Sequence, residues 1–427
     1  MKNTIIIVLL ITLLYGCINQ TKGPVITPKD YDKFLSTKGV SSRNDALNEI
    51  RFWSTRLDKD STKTIELGKL SSLYLKLFSA TGDVLNLYKS ETLLKKAINS
   101  SAREKDSYLR ALAQNYISQH RFKEAKQLLD SAYTFPDNKR ETELLLFDVN
   151  MELGNYSIAD EFLGLVKNNN DYNYLIRLSK WSDYKGNLDA AIRYMNQAMS
   201  KAESSGRPAL MIWTYTNIGD YYSHAGSIND AYLYYLKALQ LQPANVHAKK
   251  GIAQIAYAYG NNTVEANRIL DSIMSYHISP DYFLMKAEMA EFDNDISEKE
   301  KQIDNFIDAT SERNYGSMYN TYLIELYAMR NPEKAIAIAI QELKNRATPE
   351  IYQLLAFAQV KNDMKEEALL TIESHVEGKT FEPMSYYYQG LVYKANDMEN
   401  RIPDLKRELL NHSFELGPVL IRELNGW

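Results

Sequence analysis

"WTYTNIGDYYSHAGSINDAYLYYLKALQLQP", residues 213 to 243, is the stretch on which the reading of the whole chain turns. Its first half places Tyr215, Ile218, Gly219 and Tyr222 at i, i+3, i+4 and i+7, one face of a helix. A turn, "SHAGSIND", follows. Ala231, Tyr235 and Ala238 then mark the face of a second helix, which Pro243 ends. Close packing explains these residue types. Gly219 and Ala231 lack bulk, so two antiparallel helices approach closely, while Tyr215, Tyr222 and Tyr235 fill the space between this pair and its neighbour. Asn217, Asp220 and Lys237 are left to face water.

The same grammar recurs along the chain. "LRALAQNYISQHRFKEAKQLLDSA" offers Leu109, Ala113, Tyr116, Ala125, Leu129 and Ala132, and "IYQLLAFAQVKNDMKEEALLTI" offers Tyr352, Ala356, Ala368 and Ile372. The small residue opening each second helix falls at Ala125, Ala159, Ala191, Ala231, Ala266, Ala335 and Ala368, in steps of 34, 32, 40, 35, 69 and 33. The step of 69 holds two units, the degenerate one carrying Ala287, Ala290, Ile303 and Phe306. The step of 40 absorbs "KAESSGRPAL" as a longer helix or loop.

This pattern resembles the tetratricopeptide repeat, a helix-turn-helix unit of about 34 residues. Gly219, Tyr222, Ala231, Tyr235, Ala238 and Pro243 stand at that family's signature spacings. The expected fold is all-α: a right-handed α-solenoid of about ten such hairpins over residues 45 to 427. In a repeat array each unit buries its face on the next. No segment is left for a separate catalytic domain.

The N-terminus carries a second signal. Lys2 precedes an aliphatic run from Ile5 to Leu14, too short for a spanning helix of roughly 20 residues. Leu14-Tyr15-Gly16-Cys17 follows and resembles the lipobox of bacterial lipoproteins, although Tyr15 stands where a small residue is usual. The resemblance implies a signal peptide over 1–16, lipidation of Cys17, and outer-membrane retention, since Ile18 and not aspartate follows the cysteine. The periplasmic face is the expected location. Two or three acyl chains anchor stably where one does not. Residues 17 to 44, with Pro24, Pro28, Gly23 and Gly39, read as the lipidated cysteine and a flexible tether.

Composition narrows the function. Cys17 is the sole cysteine, so no internal disulfide is possible, and once it carries lipid no thiol is left for a metal site or a nucleophile. Fifty basic against 54 acidic residues give a net charge of −4 and no basic stripe, which argues against a nucleic-acid partner. The histidines, at 120, 224, 247, 277, 375 and 412, show no HExxH spacing and read as solvated turn residues. "DNDISE" at 293–298 lacks the glycine of a calcium loop and reads, like "NNND" at 168–171, as a capping turn. No catalytic residue, cofactor or metal is expected.

Most of the 31 tyrosines fall on packing positions. On the inner face of the first helices, the candidates for partner binding are Arg110, Lys180, Trp213, Asp220, Tyr327, Tyr387 and Lys394. The leading expectation is a membrane-anchored scaffold that holds a protein or peptide in its concave groove. A glycan- or small-molecule-binding lipoprotein is the alternative, disfavoured by the absence of a long insertion.

Overall fold

The computed structural model describes residues 25–57, 62–101, 103 and 105–427; the signal segment and Cys17 lie outside them. Within them the chain is helical without strands. Two helices come first, α1 (Pro28–Leu35) and α2 (Val40–Ser54). Ten antiparallel hairpins follow: α3 (Thr64–Thr81) with α4 (Leu85–Ser100), α5 (Lys105–Ser118) with α6 (Phe122–Tyr133), α7 (Lys139–Glu152) with α8 (Tyr156–Leu165), α9 (Tyr172–Tyr184) with α10 (Leu188–Ser205), and α11 (Pro208–His224) with α12 (Ile228–Leu241). The series continues with α13 (Val246–Gln254, prolonged by a π-turn Ile255–Tyr259) with α14 (Thr263–Met274), α15 (Asp281–Phe292) with α16 (Ile296–Glu312), α17 (Asn320–Arg330) with α18 (Pro332–Asn345), α19 (Pro349–Lys361) with α20 (Lys365–His375), and α21 (Pro383–Ala395) with α22 (Ile402–Asn411). A last helix, α23 (Ser413–Asn425), closes the chain.

The packing logic of the sequence holds. All seven of the small second-helix residues, from Ala125 to Ala368, are 0% exposed. The degenerate unit is α15–α16, with Ala287, Ala290, Ile303 and Phe306 buried. The 40-residue step is absorbed by α10, which runs to Ser205. Turns inside the hairpins reverse on a single left-handed residue: Gly82, His120, Gly154, Gly186, Gly226, Asn261, Asn294, Asp363 and Asp397. Asp171 and Asp295 cap α9 and α16 by accepting from the amides of Tyr174 (2.8 Å) and Glu298 (3.0 Å), so "NNND" and "DNDISE" are caps.

Two expectations need correction. The first is the tether. Residues 28–35 form α1, docked on the second helices α12 and α14. Tyr31 is 0% exposed and donates to Glu265 Oε1 (2.5 Å), Arg268 pairs with Asp32 (2.6 Å), and Ser272 donates to the Leu35 carbonyl (2.6 Å). The fully buried Lys249 donates to the Thr37 carbonyl (3.0 Å), and burial pushes its ammonium down to about 8. Pro28 sits in the first helical turn, where its missing N–H costs nothing, so it starts a helix instead of breaking one.

The second correction concerns unit-to-unit contact. Units here touch more than their neighbours, because the coil closes on itself. The Ile278 amide donates to the Thr81 carbonyl (2.7 Å), Asn345 donates to the His120 carbonyl (3.0 Å), and Arg313 reaches Asp83 (3.6 Å). The ring of Phe381 lies on Gly186. The turns of the first four hairpins thus abut loops one superhelical turn later. His120, expected to be solvated, is half-buried there and stacks on Phe122 at 5.2 Å.

Candidate functional site

The first helices face inward. Because the coil closes, their inner faces bound a lumen of three adjoining chambers that share lining residues. The largest, about 960 Å³, lies between α2 and α3 on one side and α11, α13 and α15 on the other. A second, about 450 Å³, is bounded by α7, α9, α19, α21 and α22 and shares His224 and Glu415 with the first. A third, about 340 Å³, shares Lys250, Gln254 and Asp281 with the first and adds Glu288, Tyr322 and Glu325.

The lumen is acidic. Asp183, Glu350, Glu382, Glu408 and Glu415 line the second chamber. The cations beside them, Lys180 and Arg346, are already engaged by Glu152 (2.8 Å) and Glu342 (3.0 Å). In the first chamber His247 contacts Asp220 at 2.8 Å, and Lys250 pairs with Asp281. Water reaches these walls, yet protein surrounds them, so desolvation is felt. Burial, then the like charges of Glu415, Asp183 and Glu350, push the Glu382 carboxyl up to about 7. Burial also raises Asp183, and lifts Glu288 to about 7 against the opposing hydrogen bond from the Tyr257 hydroxyl (3.0 Å). Burial lowers His277, whose Nδ1 meets the Tyr282 hydroxyl (2.9 Å), to about 4. Among the described residues, no cluster of His, Cys, Asp and Glu has the arrangement to hold a metal ion.

The raised Glu288 makes a testable statement about stability. Its folded pKa lies above the unfolded value of 4.5, so the folded state prefers the proton. That contribution is complete below about pH 4.5 and is lost as pH rises through 7. Glu288→Gln keeps the shape and an acceptor for Tyr257. Urea unfolding is expected to show the variant about 2 kcal/mol more stable than the parent at pH 8, after allowance for water in the lumen, and equal to it at pH 4. A variant less stable at pH 8 would sink this account.

The candidates from sequence divide. Asp220 and Lys180 do line adjoining chambers. Tyr387 and Lys394 come together around the ring of Trp427, at 5.5 Å and 4.7 Å. Trp213 stays 41% exposed, edge-on to Tyr172. Arg110 is a correction: it is 9% exposed, paired to Asp106 (2.8 Å) and bonded to Thr142 (3.2 Å), and so holds α5 to α7. Tyr327 is half-buried, with the Lys334 ammonium 3.7 Å from its ring. His247, Lys250 and Gln254 were missed, although their spacing of three and four on α13 marks one polar stripe. Glu382 and Glu415 leave no such trace, since one precedes α21 and the other belongs to a chain segment that folds back.

The hairpins and their buried small residues define the class: a tetratricopeptide-like α-solenoid coiled around a lumen. No protein-family model and no curated sequence matches the chain. Solved structures that are similar include the human IFIT1 dimer with PPP-AAAA (TM-score 0.47, 15% identity, 73% of this chain and 71% of that one). Yeast Tom70 gives 0.41 and 15%, over 93% and 94% of the two chains. A signal-transduction ATPase with a tetratricopeptide-repeat sensor, from Pyrococcus horikoshii, gives 0.39 and 18%, over 86% of this chain and 55% of that one.

Proposed function

We propose that this chain is a non-enzymatic scaffold, anchored to the outer membrane through lipidated Cys17 and facing the periplasm, that holds a protein or peptide partner in its lumen, with cell-envelope assembly or transport as its setting. The observation that carries the binding half is the acidic lining, whose nearby cations Lys180 and Arg346 are already engaged within the fold. Such a wall attracts Lys- or Arg-bearing segments and repels acidic ones. Rigid helices around the lumen lose little order on association. The anchor rests on the lipobox-like motif alone. Among the described residues no helix is long and apolar enough to cross a membrane.

Two experiments test the reading. A fluorescein-labelled basic dodecapeptide should bind with micromolar affinity that weakens with salt, at least tenfold better than its acidic counterpart. The double change Asp183→Asn, Glu382→Gln should weaken it several-fold. Equal binding of the two peptides would remove the electrostatic argument. For the anchor, Cys17→Ser is expected to release the chain from the membrane fraction. A variant that stays bound, beside a parent that takes up no labelled palmitate, would end the lipoprotein reading.

One observation favours the glycan alternative. Tyr156 and Tyr184 stack at 4.1 Å in the second chamber, with Phe381 58% exposed beside them. Saturable oligosaccharide binding lost in Tyr184→Ala would support it over the peptide reading.

A further inference from the structure

Part of the inner groove holds a segment of the chain itself. α23 leaves α22 at His412 and crosses to α11, the π-turn after α13, and α15, which are first helices of hairpins far upstream. Gly417 makes this crossing possible. Its φ of 76° and ψ of 163° suit glycine, and a Cβ there would stand 2.6 Å from Glu288 Oε1. Beyond the bend, Arg422 donates to the Phe292 carbonyl (3.0 Å) and lies over that ring at 5.2 Å. Trp427 ends the segment in a notch over Gly390, where a Cβ would meet the indole at 2.3 Å. The indole stacks on Tyr387 at an interplanar angle of 18°, under the Lys394 ammonium.

This is how a groove holds a ligand. Trp427 fills a shaped notch, Arg422 is held by its head group alone, and between them Leu424 is fully buried. Arg422, Glu423 and Asn425 are exposed, while Leu416, Gly417 and Leu424 are buried. Tyr387 and Lys394, marked in the sequence as partner-binding positions, are engaged in cis. A tethered occupant acts at an effective concentration on the order of millimolar. Any partner that uses the same sites must displace it, and its apparent affinity falls accordingly.

We propose that α23 is an exchangeable occupant of the partner groove. The partner that replaces it presents an aromatic side chain to Tyr387 and Lys394 and a guanidinium to the Phe292 carbonyl and ring. This rests on the peptide-scaffold reading, but its test uses no natural partner.

The full chain, with a protease site inserted after His412, is folded, cut, and mixed with a fluorescein-labelled synthetic peptide of residues 413–427. The labelled peptide should exchange in saturably, be competed by unlabelled peptide, and bind at least tenfold weaker as its Trp427→Ala form. The helical circular dichroism of the cut chain should persist. A cut segment that does not exchange within a day, or whose departure unfolds the chain, would show α23 to be an integral part of the core and overturn the proposal. In the uncut chain, amides of α23 should exchange at least 100-fold faster than those of α19, and equal protection would overturn it as well. Exchange that succeeds while the basic dodecapeptide fails to bind would remove the electrostatic reading and leave this one standing.

Discussion

Tyr235→Ala is expected to destabilise the protein by about 3–5 kcal/mol, read as a shift in chemical denaturation. Tyr235 is 3% exposed, and its ring lies between two glycine backbones. A Cβ on Gly219 would meet it at 2.7 Å, and one on Gly251 at 2.5 Å. One ring therefore binds α11, α12 and α13 together. Its hydroxyl also donates to Asp220 Oδ1 (2.7 Å), which His247 contacts from the other side. Truncation removes the wedge and leaves a void that no neighbouring backbone can close. Tyr235→Phe keeps the ring and loses one hydrogen bond, so it should cost only about 1 kcal/mol. If the two variants cost the same, the ring is not what joins the three helices.

Gly82→Val should cost at least about 3 kcal/mol and also loosen the coil. Two causes add. Gly82 has a φ of 70°, which a β-branched residue adopts only with strain. A Cβ would also stand 1.8 Å from the Ile278 carbonyl oxygen, on backbone that has no room to move while its own amide is bonded to Thr81. The control is Gly206→Val at a φ of 61°, with nothing within 4 Å of its Cβ. It carries the conformational cost alone, about 1–2 kcal/mol. Small-angle scattering should show a larger radius of gyration for the Gly82 variant and an unchanged one for the Gly206 variant. Equal radii in both would mean that contact between superhelical turns does not set the pitch.

The hairpins were readable residue by residue. Ala125, Ala231 and Ala368 had to be small wherever the fold brings two helices together, and that demand leaves a periodic mark in the chain. The polar stripe of His247, Lys250 and Gln254 was also legible, through its helical spacing. Arg110 was misassigned because a charge on an inner position looks the same in sequence whether it meets a ligand or Asp106. The docking of α1 was missed because two prolines and two glycines in that region suggested a chain without structure. Tyr31 and Phe34 lie three apart, yet an amphipathic turn this short commits to a helix only when another surface receives it.

The sequence alone settled the local architecture: all-α hairpins with buried alanines at their crossings, since those contacts join residues within one repeat and must be written at fixed spacing. Tertiary structure decided the closure of the coil, the acid-lined cavities along it, and the docking of α23 across upstream first helices. Those features depend on how small rotations between successive units add up over the array. A rotation of that kind is set by many packing contacts at once, so no single residue records it.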